Sequence, residues 1–460
     1  MIQINTQLHV QQLQPMLEKL FAVSGPKILK LDERWRANTG SPVFTVAGQY
    51  TARGWTEWTQ GFQFGSALLQ YEVTRDERFL DIGRRNTVDK MAGHLTHIGV
   101  HDHGFNNVST YGNLLRLMRE EMIPYSPWEK NFYELAMKVS GAVQAARWTS
   151  LGAGQGYIYS FNGPHSLFSD TIRSLRALAI SDHLGHVLMG EKDQPINLLH
   201  RLLEHAETTA RYNVYFGSGR DSYDLRGRVV HESIFNLNDG SYRCPSSQQG
   251  YSPFSTWTRG LAWILCGFAE QLEYLATLPE ERLSGNGGKA NVLARFAEVA
   301  EATADFYIQY TPTDGIPYWD TGAPGLAYLG DYLDRPADPH NAYEPVDSSA
   351  AVIAAQGLLR LGNYLMGHDQ PEKGRHYFQA GLTVSQTVLS EPYLSTDLNH
   401  EGLIVHSVYH RPNGWDYIPQ GQKVPCGESS MWGDYHAHEL ALLLWREATG
   451  KPYLTFFNSF

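Results

Sequence analysis

Four short runs of the chain hold residue types and spacings that can do chemistry. His101-Asp102-His103-Gly104-Phe105 sets a carboxylate between two imidazoles. A His-x-His pair can ligate a metal, and the pattern returns at His436 and His438. Those two lie in a predicted helix, where residues two apart point to different faces, so a shared ion is disfavoured. Ser166-Leu167-Phe168-Ser169-Asp170 places a second carboxylate at the start of an amphipathic run, as an acid or as an ordinary helix N-cap. In the third run, Gln248-Gln249-Gly250-Tyr251 precedes Trp257-Thr258-Arg259-Gly260-Leu261-Ala262-Trp263. Arg259 and Trp263 are one helical turn apart, so a guanidinium and an indole face the same way. The pair suits a carboxylated ring or a structural cation-π contact. In the fourth, Cys426 to Tyr435, hydroxyls such as those of Ser429 and Ser430 and nearby backbone donors can hold sugar hydroxyls or anionic substituents, or cap a helix.

These runs need elements to carry them, and the dominant period is helical. Asp347 to Met366 opens on capping residues and places Ile353, Gly357, Leu358, Leu361 and Leu365 on one face. Glu439 to Thr449 repeats the pattern and stops at Gly450, a left-handed cap, with Pro452 beyond. Comparable runs lie near 61–73, 77–93, 109–121, 129–149, 170–184, 197–212, 258–276, 290–309 and 372–389, with a shorter one over Val10 to Phe21. The connections recur too: Val73 to Leu80, Gly367 to Phe378 and Ala448 to Leu454 each join a helix end to an aromatic residue. A helical hairpin cannot bury its apolar face alone, so repeated hairpins predict a closed or stacked α/α architecture. Between them run long loops at 36–58, 213–257, 312–346 and 391–433, and loops that long are usually functional. Residues 278–289, polar and glycine-rich, predict a mobile surface insertion in one domain spanning 1–460.

Composition narrows the function classes. With 42% hydrophobic and 18% charged residues the chain is globular, and 460 residues do not force a division into domains. A net charge of -11 without any Lys/Arg run argues against nucleic acid as a partner. No apolar stretch is long enough for a membrane helix. Cys244, Cys266 and Cys426 are too scattered for a disulfide framework or a paired-cysteine zinc site. With no recognisable leader at the N-terminus, the expected location is cytoplasmic. The loops are rich in aromatics, among them Trp55, Trp58, Tyr157, Tyr159, Trp257, Trp319, Trp415 and Trp432. Flat rings with a polar edge suit the apolar face of a pyranose, although core anchoring is the commoner use.

Together the motifs carry a resemblance to the unsaturated glucuronyl hydrolases, from about Trp58 to Tyr453. The matching runs are Trp58-Thr59-Gln60-Gly61-Phe62, His101 to Phe105, Asp170 on its helix, His205-Ala206 with Thr208-Thr209, and Gln249-Gly250-Tyr251. Arg259-Gly260 with Ala262-Trp263, Asp347 to Ala351, and Ser429 to Tyr435 complete them. The resemblance implies an all-α fold, an (α/α)6 six-hairpin barrel with its site in the loops at one mouth. It also implies a reaction in which a 4,5-unsaturated uronic acid at the non-reducing end is hydrated at its enol-ether double bond. The residue matching Asp170 protonates C4 and assists water at C5, and the resulting hemiketal falls apart without attack at C1. Asp102, with burial among aromatics, is then expected to raise the pKa of Asp170 towards neutrality. Trp58, His101, His231, Gln249, Arg259, Trp263, Ser429 and Ser430 are the implied substrate-binding residues. The implied partner is a uronic-acid oligosaccharide, with no cofactor and no metal.

The chain departs from the family pattern at three places: His103 stands where Leu or Ile is usual, Gln63 replaces an aromatic, and Asp170 is followed by Thr-Ile-Arg-Ser-Leu-Arg. Arg173 and Arg176 would lower the pKa of Asp170 if they pointed at it. Two other functions therefore stay open: a saturated β-glucuronidase, with Asp102 and Asp170 dividing the acid and base or nucleophile roles, and a sugar epimerase or isomerase working through histidines.

Overall fold

Apolar faces repeated at helical spacing leave the chain two ways to bury them, against one neighbour or against several. Both are used. The computed structural model describes every residue except Asn38, Thr39, Thr56, Ala153 and 458–460. It is mostly helical, at 54%. α1 (Gln14–Trp35) is followed by β1 (Ser41–Val46), β2 (Gln49–Arg53), α2 (Gln60–Thr74), α3 (Glu77–Lys90) and α4 (Ala92–Leu95). α5 (His103–Asn107) passes through a π turn at Val108–Gly112 into α6 (Asn113–Arg119), and α7 (Pro127–Ala146) follows. Next come β3 (Trp148–Gly152), β4 (Gln155–Ile158), β5 (Ser166–Phe168), α8 (Thr171–Ser174) and α9 (Arg176–His183). β6 (Val187–Met189), β7 (Pro195–Asn197), α10 (Leu198–Tyr212), β8 (Glu232–Phe235) and β9 (Tyr242–Ser246) lead to α11 (Thr258–Thr277). α12 (Lys289–Gln309), α13 (Ser348–Met366), α14 (Pro371–Val388) and α15 (Met431–Ala448) complete the order.

Contacts arrange these helices in two layers. α2, α5–α6, α8–α9, α11, α13 and α15 touch one another in that order, and α15 returns to α2. Outside them, α3 packs on α2, α7 on α5, α6 and α9, α10 on α8 and α9, α12 on α11, α14 on α13, and α1 on α2 and α15. Burial follows the layer. Every residue of α13 from Ser348 to Gly362 is buried, as an inner helix requires. Outer α7 buries one face and leaves Trp128 and Leu135 exposed. Each core Leu, Ile or Phe contributes about 1.5–3 kcal/mol by burial.

The structure also departs from the sequence reading. α1 runs on to Trp35 through Pro26, far beyond the short segment ending at Phe21, because apolar Leu17, Leu20, Phe21, Ile28 and Leu31 keep one face buried across the proline. α15 begins at Met431, eight residues ahead of the predicted Glu439, capped by the Ser430 side chain on the Gly433 amide. An all-α description is too simple, since the segments between helices contain four small antiparallel sheets. Residues 278–289 are tied down: Leu283 is buried, Arg282 pairs with Asp182, and Lys289 donates to the Ala276 and Leu278 carbonyls. Among the described residues, no helix is long and apolar enough to cross a membrane.

Candidate active site

Two glycines decide where the carboxylates sit. A Cβ on Gly104 would lie 2.0 Å from the Ser174 carbonyl oxygen, so only glycine lets α5 close onto α8 there. The Gly104 amide donates to Ser174 Oγ at 2.8 Å, and that hydroxyl donates to the His101 carbonyl at 2.7 Å. Gly61 makes the same approach on the other side, its amide donating to Asn106 Oδ1 at 2.7 Å where a Cβ would meet the Asn106 backbone. Asp170 is placed from behind by the β5–β8–β9 sheet, where the amide of Ser169 donates to the His231 carbonyl.

Asp102 and Asp170 both occupy N-cap positions, yet neither carboxyl makes a cap hydrogen bond. Both turn into a cavity. His101 lies between them, its Nε2 3.3 Å from Asp170 Oδ1 and 3.8 Å from Asp102 Oδ1. One nitrogen at these lengths from both oxygens brings the two carboxyls closer than the roughly 9.5 Å upper limit for paired glycosidase carboxylates.

Electrostatics separates the pair, in the direction opposite to the sequence expectation. Burial pushes Asp102 above the usual carboxylate range, His101 offsets part of that, and the negative charge of Asp170 adds to it. Burial also acts on Asp170, but the charge and hydrogen bond of His101 outweigh it and hold Asp170 below its ordinary value. Burial disfavours protonated His101, while Asp102 and Asp170 together raise it. Proton affinity in this cluster therefore favours His101 and Asp102 over Asp170. Arg173 and Arg176 play no part in this, because they point away. Arg173 pairs with Glu270 and Glu439, and Arg176 pairs with Glu439 and donates to the Gly104 carbonyl.

Around the carboxylates lies a cavity of about 500 Å³ whose wall includes Trp58, His101, Gln249, Arg259 and Trp263, as the sequence predicted. Trp257, Trp415 and Trp432 join them, whereas Trp55, Tyr157, Tyr159 and Trp319 do not. Trp58 stacks on Trp432 at 5.1 Å and 26°. Arg259 is held between the Trp257 and Trp432 rings, at 4.7 and 4.9 Å from their centroids, and not over Trp263. Three predicted residues stand outside the wall. His231 is behind it, with Nδ1 accepting from the Gln248 and Gln249 amides and its ring against Phe168 and Trp257. Ser429 and Ser430 are fully buried: Ser429 Oγ donates to Asp434, and Ser430 caps α15 and bonds Ser407. Their polar run marks a helix start, which is the other use the sequence allowed.

Sequence reasoning missed Arg53, Glu57, His97, Phe161, His410 and Asn413, which also line the cavity. Glu57 was adjacent to a recognised motif. Burial, reinforced by Asp102, pushes its carboxyl up. Arg53 lies over Tyr409 and Trp415, at 5.5 and 5.4 Å, and no local pattern foretold that arrangement.

The helices share a direction at this end. Gln60 starts α2, Thr258 starts α11, Ser348 starts α13 and Met431 starts α15, and the wall residues Trp58, Trp257 and Trp432 lie at three of these N-termini. Helix N-termini carry partial positive charge and favour an anion, so the mouth can accept a carboxylate on a chain of net negative charge. His101 and His103 do not converge on a common point. His103 Nδ1 faces Ser140 and its Nε2 faces the His97 carbonyl, while His101 faces the aspartates. His436 and His438 each bond the backbone carbonyl four residues before them, on different faces of α15. Among the described residues no group of three His, Cys, Asp or Glu is arranged to hold a metal ion.

Paired carboxyls in a cavity walled by indoles suit a polyhydroxylated ring, which is the class of carbohydrate-active enzymes. No family model matches the chain. It is 28% identical over 418 residues to an unsaturated glucuronyl hydrolase of Bacillus sp. strain GL1, covering 88% of this chain and 91% of that one. An unsaturated glucuronyl hydrolase of Formosa agariphila is 23% identical over 396 residues, covering 83% and 78%. The crystal structure of the Bacillus sp. GL1 unsaturated glucuronyl hydrolase matches with a TM-score of 0.71 at 22% identity, covering 94% and 98%. The chain thus resembles the unsaturated glucuronyl hydrolases over most of its length, in sequence and in fold.

Proposed function

We propose that this chain is a glycoside hydrolase that releases a non-reducing-end 4,5-unsaturated glucuronyl residue from a uronic-acid oligosaccharide. The observation that carries the proposal is the triad Asp102, His101 and Asp170 in a cavity walled by Trp58, Trp257, Trp263 and Trp432. The names of the curated relatives support it. We place the site at the mouth of an (α/α)6 barrel formed by six helical hairpins, in one catalytic domain over 1–460. Three free cysteines fit a reducing, cytoplasmic setting.

The geometry supports a proton path. When an anionic uronate enters, its charge and the loss of water both raise the pKa of Asp170. The proton on His101 Nε2 then passes to Asp170 over the 3.3 Å contact. Asp170 gives it to C4 as the double bond is consumed, and takes a proton back from the water whose oxygen bonds C5. The hemiketal opens, and C1 releases the leaving sugar without being attacked. Asp102, raised by burial, remains beside His101 and tunes its charge.

A saturated β-glucuronide is the second substrate class, favoured by one observation. The environments of Asp102 and Asp170 push their pKa values apart, as in an ordinary acid and base pair. Assaying an unsaturated disaccharide beside a saturated chromogenic glucuronide separates the two. Turnover of the unsaturated substrate alone is expected, and turnover of the saturated one alone overturns the proposal.

A further inference from the structure

Asp347-Ser348-Ser349-Ala350-Ala351 is a motif that the reaction above leaves without a task. Asp347 is the N-cap of α13, and its Oδ1 accepts from the Ser349 amide at 3.1 Å. A cap needs nothing more, and any of Asp, Asn or Ser supplies it. This carboxylate does more. It is fully buried, and its Oδ2 accepts from Arg259 Nη1 at 2.8 Å. Oδ1 also accepts from Ser349 Oγ at 2.5 Å and from the Val408 amide at 3.3 Å.

Following these bonds outward leads to the cavity wall along two routes. Arg259 Nη1 donates to Asp347 and the Val408 carbonyl, and Nη2 donates to the Tyr409 carbonyl and Gln249 Oε1 at 3.2 Å. A guanidinium has two hydrogens on each terminal nitrogen, so all four are committed. Arg259 thus has no terminal N–H left to clamp a substrate carboxylate. It fixes the amide of Gln249 instead. A guanidinium has no acceptor, so only the amide oxygen can meet it, and Gln249 Nε2 is left as a donor on the cavity wall. Along the second route, Trp432 Nε1 donates to Ser349 Oγ at 3.0 Å, and Ser349 donates to Asp347.

We infer that Asp347 is a positioning residue for the reaction: through Arg259 it orients the Gln249 amide towards substrate, and through Ser349 it fixes the Trp432 ring. This rests on the function proposed above for its kinetic readout, but not for its spectroscopic one. Asp347→Asn keeps a good cap and removes the charge that holds Arg259. In a double-mutant cycle on kcat/KM for the unsaturated disaccharide, Asp347→Asn and Gln249→Ala are expected to be non-additive. The double variant should be no more than about twofold worse than Gln249→Ala alone. Full additivity overturns the inference. Should Asp347→Asn not fold, Arg259→Lys, which cannot reproduce the planar fork, replaces it in the same cycle with the same criterion.

The substrate-free readout is the side-chain amide signal of Gln249, assigned by its loss in Gln249→Ala and followed by NMR. It should shift in Asp347→Asn and in Arg259→Lys, and an unmoved signal in both overturns the inference. A parent enzyme without activity on the unsaturated disaccharide sinks the proposed function, and this amide signal then decides the role of Asp347 by itself.

Discussion

Two sets of buried carboxylates, far apart in sequence, behave in opposite ways. Inside the helical ring, Glu439 receives Arg173 at 2.8 Å, Arg176 at 3.0 Å and the Gln356 amide at 3.1 Å, and is held well below the usual carboxylate range, the arginines outweighing its burial. At the mouth, Asp102 and Asp170 share one histidine and, among the described residues, have no arginine in ion-pair contact. Glu439 is saturated with fixed positive charge, which favours its ionised form. The mouth set has charge to move. Arg173 and Arg176 follow Asp170 directly in the chain, yet they serve the inner set, so proximity in sequence misjudges which acid they control.

The comparison breaks most visibly at Asp170. Asp170→Asn removes the group proposed to deliver the proton and should lower kcat by about 10² to 10⁴-fold, with a smaller effect on KM. Near-normal turnover would make Asp170 an inert helix-start residue. Glu439→Gln should do the reverse. Taking the Glu439 charge from buried Arg173 and Arg176, which keep only Glu270, costs about 3–5 kcal/mol of stability in denaturant unfolding. The folded fraction should keep its kcat/KM, and a specific loss of activity at full stability would place Glu439 in the wrong set.

Asp102→Asn sharpens the mouth side. Its negative charge helps raise the pKa of His101, so its removal lowers that pKa. The alkaline limb of kcat/KM, where the imidazolium is lost, should then move to lower pH; a limb that stays put or moves up contradicts the shared proton. The smallest effect is expected at Ser430→Ala. That residue caps α15 away from the cavity wall, so about 1 kcal/mol of stability is lost and KM is unchanged. A raised KM would return Ser430 to the binding set.

How much of this was legible in the sequence follows from how local each signal is. The helices were readable because their apolar spacing is local, and so were their stops: Arg75, Asp369 and Gly450, one in each recurring connection, all adopt positive φ. Asp102, Asp170, Gln249 and Arg259 were readable because short motifs carry them. The strands were hidden in loops, being three to six residues long with pairing that sequence spacing does not reveal. The direction of the Asp170 shift was hidden too, since it depends on where His101 Nε2 points, and that is set by Gly104 closing onto Ser174. Arg53 and Glu57 reach the cavity through the β1–β2 hairpin and its following turn, which no motif announced.

The central claim is that the double bond is hydrated first and that the glycosidic link breaks as a consequence. Rapid mixing of the enzyme with an unsaturated disaccharide can follow the ultraviolet absorbance of the conjugated C4=C5 bond and the appearance of the free leaving sugar in the same reaction. Absorbance loss that precedes or coincides with release is the predicted result. Release that runs ahead of absorbance loss would mean direct attack at C1, and would contradict the account.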